Sequence, residues 1–583
     1  MWGRWPFRRA SVPVSYDPAY RWPVPDLDAR VGFEARRADF VAWYLLERRW
    51  IDPAQLHAPA LLPWADAARV HTDGWLERLH DPEVLSRVFG IPDIRLPVDE
   101  ILRTVRLVCG GTLAAARAAH AHAGPAINLA GGFHHAHPDR GGGLCALNDV
   151  AIAVSVLRAD GVRGRIAVLD LDAHPPDGTA AALAGDSDHW IGSISGCDWG
   201  AMPGVDETVI PGADGPTYLR ALDALLARAP SAVLTFVLAG GDVLAGDRLG
   251  ALALDADAVA ERDRRVWRHL RGAASVWLPA GGYHPSAWRL FARTAIQVAA
   301  GRSAPVPAGF DPLRARFGAI ARQLPPHLLA PDDDDDDLFP FVPARHPPRL
   351  LGFYSASGLE LALTRLGLMQ VVTRLGYADP QVVVDVTGVG DRLRVVARSD
   401  GAEVTLVEAV LATEAIAGAR YLYVHWLSLR HPRAAFTADK AQLPGQEVPG
   451  LGLAPEATEL LRRMAARLDL AGVALRPAFF HVAWSVRRDY HFLDPDRQAQ
   501  FLALGEALAA WPLAVATRLV ADGRVRLDGA VYAWSPDPMV SDPVRDAGPV
   551  GDAGHWRGRF SVAADAPDAA GAAPRPPGLT PRG

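Results

Sequence analysis

Hydrophobic residues in the first half of the chain follow two alternating patterns. From Phe33 to Trp50 they recur at helical spacing (Phe40, Val41, Tyr44, Leu45), and Leu102–His120 repeats that spacing with an Ala-rich second half. Short continuous apolar runs follow at Arg165–Leu171, Ala232–Ala239 and Ala274–Leu278, each soon ended by Gly or Asp. Such runs read as parallel strands buried on both faces. Helical stretches at Asp149–Leu157, Tyr218–Ala227 and Ala258–Leu270 separate them, which completes a βαβ rhythm. The pattern predicts an α/β domain with an open, mainly parallel sheet flanked by helices, preceded by an irregular lead-in over residues 1–30 rich in Trp, Pro and Arg.

The pattern breaks near Arg322. Residues 323–349 hold six consecutive aspartates, Asp332–Asp337, among prolines, which predicts a solvated acidic linker. Strand-like runs at Gln381–Val386, Leu393–Ala397, Val404–Val410 and Tyr421–Leu429, then a helix at Pro455–Asp469, predict a second, smaller α+β domain over 350–545. Residues 546–583 have few large apolar side chains and are expected to be a loose tail. The organisation is therefore a domain at 1–322, a linker at 323–349, a domain at 350–545 and a tail.

Charge and composition exclude several classes. Sixty basic and 66 acidic residues leave a net charge of −6, so no basic field points to nucleic acid. Lys440 is the only lysine, and the other basic residues are arginine, a bias that fits GC-rich coding. Three cysteines, Cys109, Cys145 and Cys197, form no CxxC pair, which favours a reducing compartment. No apolar run suits a membrane span or a signal peptide, so the cytoplasm is the expected location, with no membrane partner.

The chemistry concentrates in Val168-Leu-Asp170-Leu-Asp172-Ala-His174-Pro-Pro-Asp177. Alternate side chains of an extended segment face one way, so Asp170, Asp172 and His174 project together as the strand runs out. Two carboxylates and an imidazole there would be costly without a cation, and Asp oxygen with His nitrogen suits zinc, which needs three protein ligands when catalytic. Asp242 follows the next apolar run directly and supplies the expected third ligand. Upstream, His134 and His135 stand behind a Gly-Gly turn. Paired histidines can move protons when carboxylates orient them, and Asp170 and Asp177 are the spare carboxylates. Tyr283 follows a third strand and a Gly-rich turn, where a phenol can donate to a developing oxyanion.

The blocks GGFHHAHPDRGGGLCALND, VLDLDAHPPDG, LAGGDVLAGDRLG and GGYHP, in that order over about residues 12–305, resemble the zinc-dependent histone deacetylase superfamily, most of all its class IV and bacterial acetoin-utilisation-like branch. The resemblance implies Zn2+ on Asp172, His174 and Asp242, with Asp170 orienting His134, Asp177 orienting His135 and Tyr283 serving the transition state. It also implies a structural K+ near Asp170, Asp172, His174 and Ser193. Along the acyl-chain path it places Gly143, Leu144, Trp199, Gly281 and Gly282. The implied activity is removal of acetyl or acyl groups from lysine side chains or small amines.

Three features depart from the family pattern. Pro175-Pro176 replace His-Gly or Gln-Gly before Asp177, which bears on the orientation of His135. Leu144 stands where an aromatic residue is usual, with Trp199 as a replacement wall. Ala280 shortens a glycine run. A domain that holds acyl-lysine without turnover is the alternative they raise. His120, His122 and His137 are expected to be ordinary surface or packed histidines, and Asp247 and Arg248 to pair near the site. In the second domain, Gln446-Glu-Val-Pro-Gly450-Leu-Gly452 before a helix is similar to the acyl-CoA loop of GCN5-type N-acetyltransferases, which implies a bifunctional protein.

Overall fold

The computed structural model describes residues 12–24, 31–90, 96–330, 348–436, 441–541 and 554–563. The aspartate run Asp332–Asp337 and Lys440 lie outside the described residues. The described residues form two compact units, which divide between Ala315 and Arg316.

The first unit is built on an eight-stranded sheet. Its strands are β1 (Val14–Ser15), β2 (Leu56–His57), β3 (Pro125–Asn128), β4 (Ile166–Asp170), β5 (His189–Ser195), β6 (Val205–Val209), β7 (Leu234–Leu238) and β8 (Ser275–Leu278). The spatial order is β2-β1-β3-β8-β7-β4-β5-β6, and every pair is parallel. β4, β7 and β8 are buried along their whole length, which is why the sequence shows them as unbroken apolar runs. Helices Asp149–Ala159, Gly215–Arg228 and Ala256–His269 provide the crossovers that parallel pairing requires. Because all strands run one way, their carboxyl ends share one edge, the usual ligand side of an open α/β sheet. The adjacent strands β3, β8, β7 and β4 therefore bring the four chemically marked loops side by side.

Part of the expected irregular lead-in is structural. Val14 sits in β1 between β2 and β3, and the Tyr20 hydroxyl donates to Asn128 Oδ1 at 2.8 Å. Val14 and Tyr20 are buried, so the apolar residues of this segment complete the core.

The second unit carries a seven-stranded mixed sheet. An antiparallel meander of β9 (Ala378–Val386), β10 (Asp391–Ser399), β11 (Ala402–Ile416) and β12 (Ala419–Leu429) leads into β13 (Val473–Leu475), β14 (Tyr490–Phe492) and β17 (Met539–Ser541), in the order β14-β17-β13-β12-β11-β10-β9. β13 runs parallel to β12, and helix Ala454–Arg467 is the crossover between them. Leu324 and Leu329, within the expected linker, are buried in this unit's core. A three-stranded sheet pairs β15 (Val525–Leu527) with β16 (Ala530–Val531) and β18 (Phe560–Val562). β18 lies in the expected loose tail. Phe560 is buried against Tyr532, and β18 pairs antiparallel with β15.

Candidate active site

Asp172 and His174 lie just beyond the end of β4, and Asp242 lies four residues beyond β7. One ligand atom from each side chain lies within 4.8 Å of the others, and all three residues are buried. His174 Nδ1 is 3.1 Å from both Asp172 Oδ1 and Asp242 Oδ2. His174 Nε2 donates to the Leu249 carbonyl at 3.0 Å, which holds the ring and leaves Nδ1 toward the carboxylates. The outer oxygens are also fixed: Gly281 N–H donates to Asp172 Oδ2 at 2.7 Å and Ala173 N–H to Asp242 Oδ1 at 3.0 Å. A Cβ on Gly281 would stand 2.5 Å from an oxygen of each carboxylate, so only glycine fits there. Burial and the charge of Asp172 push Asp242 up to about 7. Burial disfavours a proton on His174, but the two carboxylates prevail and push it up to about 12.

Beside these three stand two His–Asp pairs. His134 Nδ1 donates to Asp170 Oδ2 at 2.9 Å, and His135 Nδ1 to Asp177 Oδ1 at 2.7 Å. A carboxylate only accepts, so each Nδ1 carries the hydrogen and each Nε2 is left to exchange protons. The two environments differ. Burial opposes charge on His134, yet Asp170 and Asp172 push it up to about 9. Burial and the neighbouring His134 lower His135 to about 4. The rings lie 4.0 Å apart. Pro175-Pro176 leave Asp177 as the first residue of helix Asp177–Leu183, still within reach of His135.

Tyr283 is buried, and its phenol is held well above its ordinary value by burial and then by Asp172 and Asp242. It lines a pocket with His134, His135, Asp172, Leu144 and Gly281, and Gly143 also contributes to the wall. Leu144 has a left-handed backbone (φ 67°), set by its N–H bond to the Val88 carbonyl at 3.0 Å. Trp199 is 46% exposed and lies over the His135 and His174 rings, at 5.4 and 6.1 Å. Gly282 lies outside this lining and packs on Ala287. Ser193 Oγ, paired in register with Asp170 across β4 and β5, is buried with no hydrogen-bond partner.

Several residues shape the site in roles the sequence did not assign them, among them Asp247, expected near the site as a partner of Arg248. Buried Asp149 accepts from Thr112 Oγ1 at 2.6 Å, Gly132 N–H at 3.0 Å and Phe133 N–H at 2.7 Å, so it folds the turn that presents His134. Gly131, at φ 102°, is pressed against that carboxylate. Asp247 Oδ2 accepts the Tyr283 N–H at 2.7 Å, and its Oδ1 accepts from Leu249 and Gly250, so Asp247 organises backbone. Arg37 lies 4.2 Å over the Phe33 ring and donates to the Ala280 carbonyl at 2.6 Å. His71 Nε2 accepts the Asn148 N–H at 3.0 Å while its Nδ1 donates to the His137 carbonyl at 3.0 Å. His137, expected to be ordinary, meets Asp177 Oδ2 at 2.9 Å.

An open parallel α/β sheet carries, at its ligand edge, a buried Asp-His-Asp group that could hold a metal ion and two His–Asp pairs. Residues 33–299 match the family described as Histone deacetylase domain. "Histone deacetylase 2" of Arabidopsis thaliana is 28% identical over 300 residues, covering 48% of this chain and 77% of its own length. An uncharacterized protein of Picosynechococcus sp. is 34% identical over 283 residues, covering 44% of this chain and 86% of its own. Among solved structures, an HDAC homolog from Aquifex aeolicus aligns over 51% of this chain and 86% of its own at 22% identity, with a TM-score of 0.43. The chain belongs to the histone deacetylase family through its first unit. No described helix is long and apolar enough to cross a membrane.

Proposed function

We propose that the first unit is a zinc-dependent amidohydrolase that removes acetyl or other acyl groups from lysine side chains of proteins and peptides, or from small acylated amines. The observation that carries this reading is a buried Asp172–His174–Asp242 group whose Asp172 lines one pocket with His134, His135 and the buried Tyr283, each of those histidines held by its own carboxylate. The donor set fits zinc: two buried carboxylates, one pushed up to about 7 by burial and by the other, gain from a divalent cation, and one imidazole completes a three-ligand site. Bound to Asp172, His174 and Asp242, zinc supplies Lewis-acid polarisation of the acyl carbonyl and lowers the pKa of water.

The chain's own groups account for the rest. His135 is neutral near pH 7, and its free Nε2 accepts the proton of the attacking water. His134, held through Nδ1 by Asp170, presents its Nε2 to carry a proton toward the leaving amine. Tyr283, kept protonated by burial and by two carboxylates, can donate its O–H and so steady negative charge on the acyl oxygen. Trp199 and Leu144 flank the acyl path, with Gly143 and Gly281 leaving it open. The buried Ser193 Oγ supports a structural monovalent cation such as K+ beside Asp170.

The test is metal analysis with a hydrolysis panel of acyl-lysine peptides, acylpolyamines and acetylated small amines. About one zinc per chain and turnover on at least one member are expected, with Asp242→Ala losing both. Zinc-loaded protein inert across the panel would overturn the reading.

One observation favours a second activity in the other unit. Parallel strands β12 and β13 pair only at Leu422–Val424 with Val473–Leu475, although β12 runs on to Leu429. The β11–β12 register shifts between Val410 and Leu411, which leaves His425 as a bulge where the strands part. Gly450-Leu-Gly452 then leads into the N-terminus of helix Ala454–Arg467, a place a phosphate can dock although Glu456 stands in the first turn. This supports an acyl-CoA site in residues 350–545. Calorimetry of the full chain with acetyl-CoA tests it, and no heat at millimolar ligand ends it.

A further inference from the structure

The Asp177 carboxylate stands at the first position of its helix, and its side chain is 32% exposed. The preceding Pro176 has no N–H, and no side chain caps that helix end. Asp177 is therefore steered by its two imidazole partners. His135 Nδ1 meets Oδ1 at 2.7 Å and His137 Nε2 meets Oδ2 at 2.9 Å. Since a carboxylate only accepts, Nε2 of His137 carries the hydrogen. Arg140 Nη2 also lies 3.1 Å from that nitrogen; a guanidinium only donates, so Arg140 and Asp177 compete for Nε2, and the Asp177 bond forms with the hydrogen on Nε2. Burial disfavours the Asp177 charge, but the His135 and His137 bonds outweigh it and hold the carboxyl well below its usual range.

His137 is itself held firmly. Its N–H donates to the Arg140 carbonyl at 2.9 Å, and its own carbonyl accepts from His71 Nδ1 at 3.0 Å. The following Pro138 carbonyl accepts the Thr72 N–H at 2.9 Å. Its side chain is 13% exposed, so the ring has a defined seat.

We propose that His137 is a positioning residue for deacylation: by binding the second oxygen of Asp177, it fixes the carboxylate in the orientation that holds His135 ready to accept a proton. It takes over the orienting task at a turn where Pro175-Pro176 provide no donor. This rests on the amidohydrolase reading for its kinetic consequence, but not for its structural one.

The test compares His137→Phe, which keeps a ring without a donor, with His137→Gln, whose amide nitrogen can reach the place of Nε2. In zinc-loaded full-length protein, His137→Phe should lower kcat about tenfold or more at near-constant KM and zinc content, and His137→Gln should recover most of it. Combining His137→Phe with Asp177→Asn should cost no more than Asp177→Asn alone. Crystal structures of the wild type and His137→Phe supply a readout independent of turnover: Asp177 Oδ1 should leave hydrogen-bond distance of His135 Nδ1 in the variant. Wild-type kcat in His137→Phe, equal damage from both substitutions, or an unmoved Asp177 would overturn the assignment. If the wild type turns over nothing, the amidohydrolase reading fails and the crystallographic comparison decides the inference alone.

Discussion

Acid should destabilise the first unit through His71 in particular. The ring is 2% exposed, and both nitrogens are committed: Nε2 accepts from Asn148 N–H and Nδ1 donates to the His137 carbonyl. Only the neutral ring with hydrogen on Nδ1 meets both, because a second hydrogen would face the Asn148 N–H. Burial, against the backbone bonds to His137 and Pro138, lowers the group from 6.5 to about 4. Between these values the unfolded chain binds a proton that the folded chain refuses, so stability is complete above the unfolded value and falls as pH drops toward the folded one. From about pH 7.5 to about pH 5 the loss is near 1.5 pH units' worth, or about 2 kcal/mol at 1.36 kcal/mol per unit.

His71→Phe removes this titration. It also strands a buried N–H and a buried carbonyl, which costs about 1–3 kcal/mol each. The variant should be less stable than wild type near pH 7.5, and that gap should narrow by about 2 kcal/mol at pH 5. Urea melts of the two proteins at each pH, compared as differences so that shared titrations cancel, measure it. Parallel pH slopes, or a gap that widens with acid, would refute the reasoning.

Three other predictions address the site directly. Gly281→Ala places a Cβ 2.5 Å from both ligand carboxylates and should abolish stoichiometric zinc, read by metal analysis, while the far-ultraviolet spectrum stays native. Asp149→Asn loses an acceptor that serves three donors and should destabilise the first unit by about 2–4 kcal/mol in urea melts, with turnover falling in step. Trp199→Ala uncovers the His135 and His174 rings and should raise KM several-fold at constant zinc content, read by steady-state kinetics.

Much of this protein follows from local pattern. The unbroken apolar runs at Ile166–Asp170, Leu234–Leu238 and Ser275–Leu278 announce their strands because both faces are buried. The apolar run ending at Asp170 marks where Asp172 and His174 leave the strand, although they meet in bends past its end rather than by strand alternation, and Asp242 closes the group because it follows the neighbouring strand. Strands of two residues, Val14–Ser15 and Leu56–His57, have no periodicity to read, and the half-buried Val205–Val209 has no apolar run. Tertiary structure alone decided the partners. Asp149, Asp247, His71 and His137 are common residue types whose roles come from bonds to Gly132 and Phe133, to Tyr283, to Asn148 and to Asp177, between segments that meet only when the sheet folds. The sequence determined which groups stand at strand ends, because where a buried apolar run stops is a local property of the chain. Which carboxylate holds which imidazole, and which residue steadies that carboxylate, depended on the approach of loops distant in the chain.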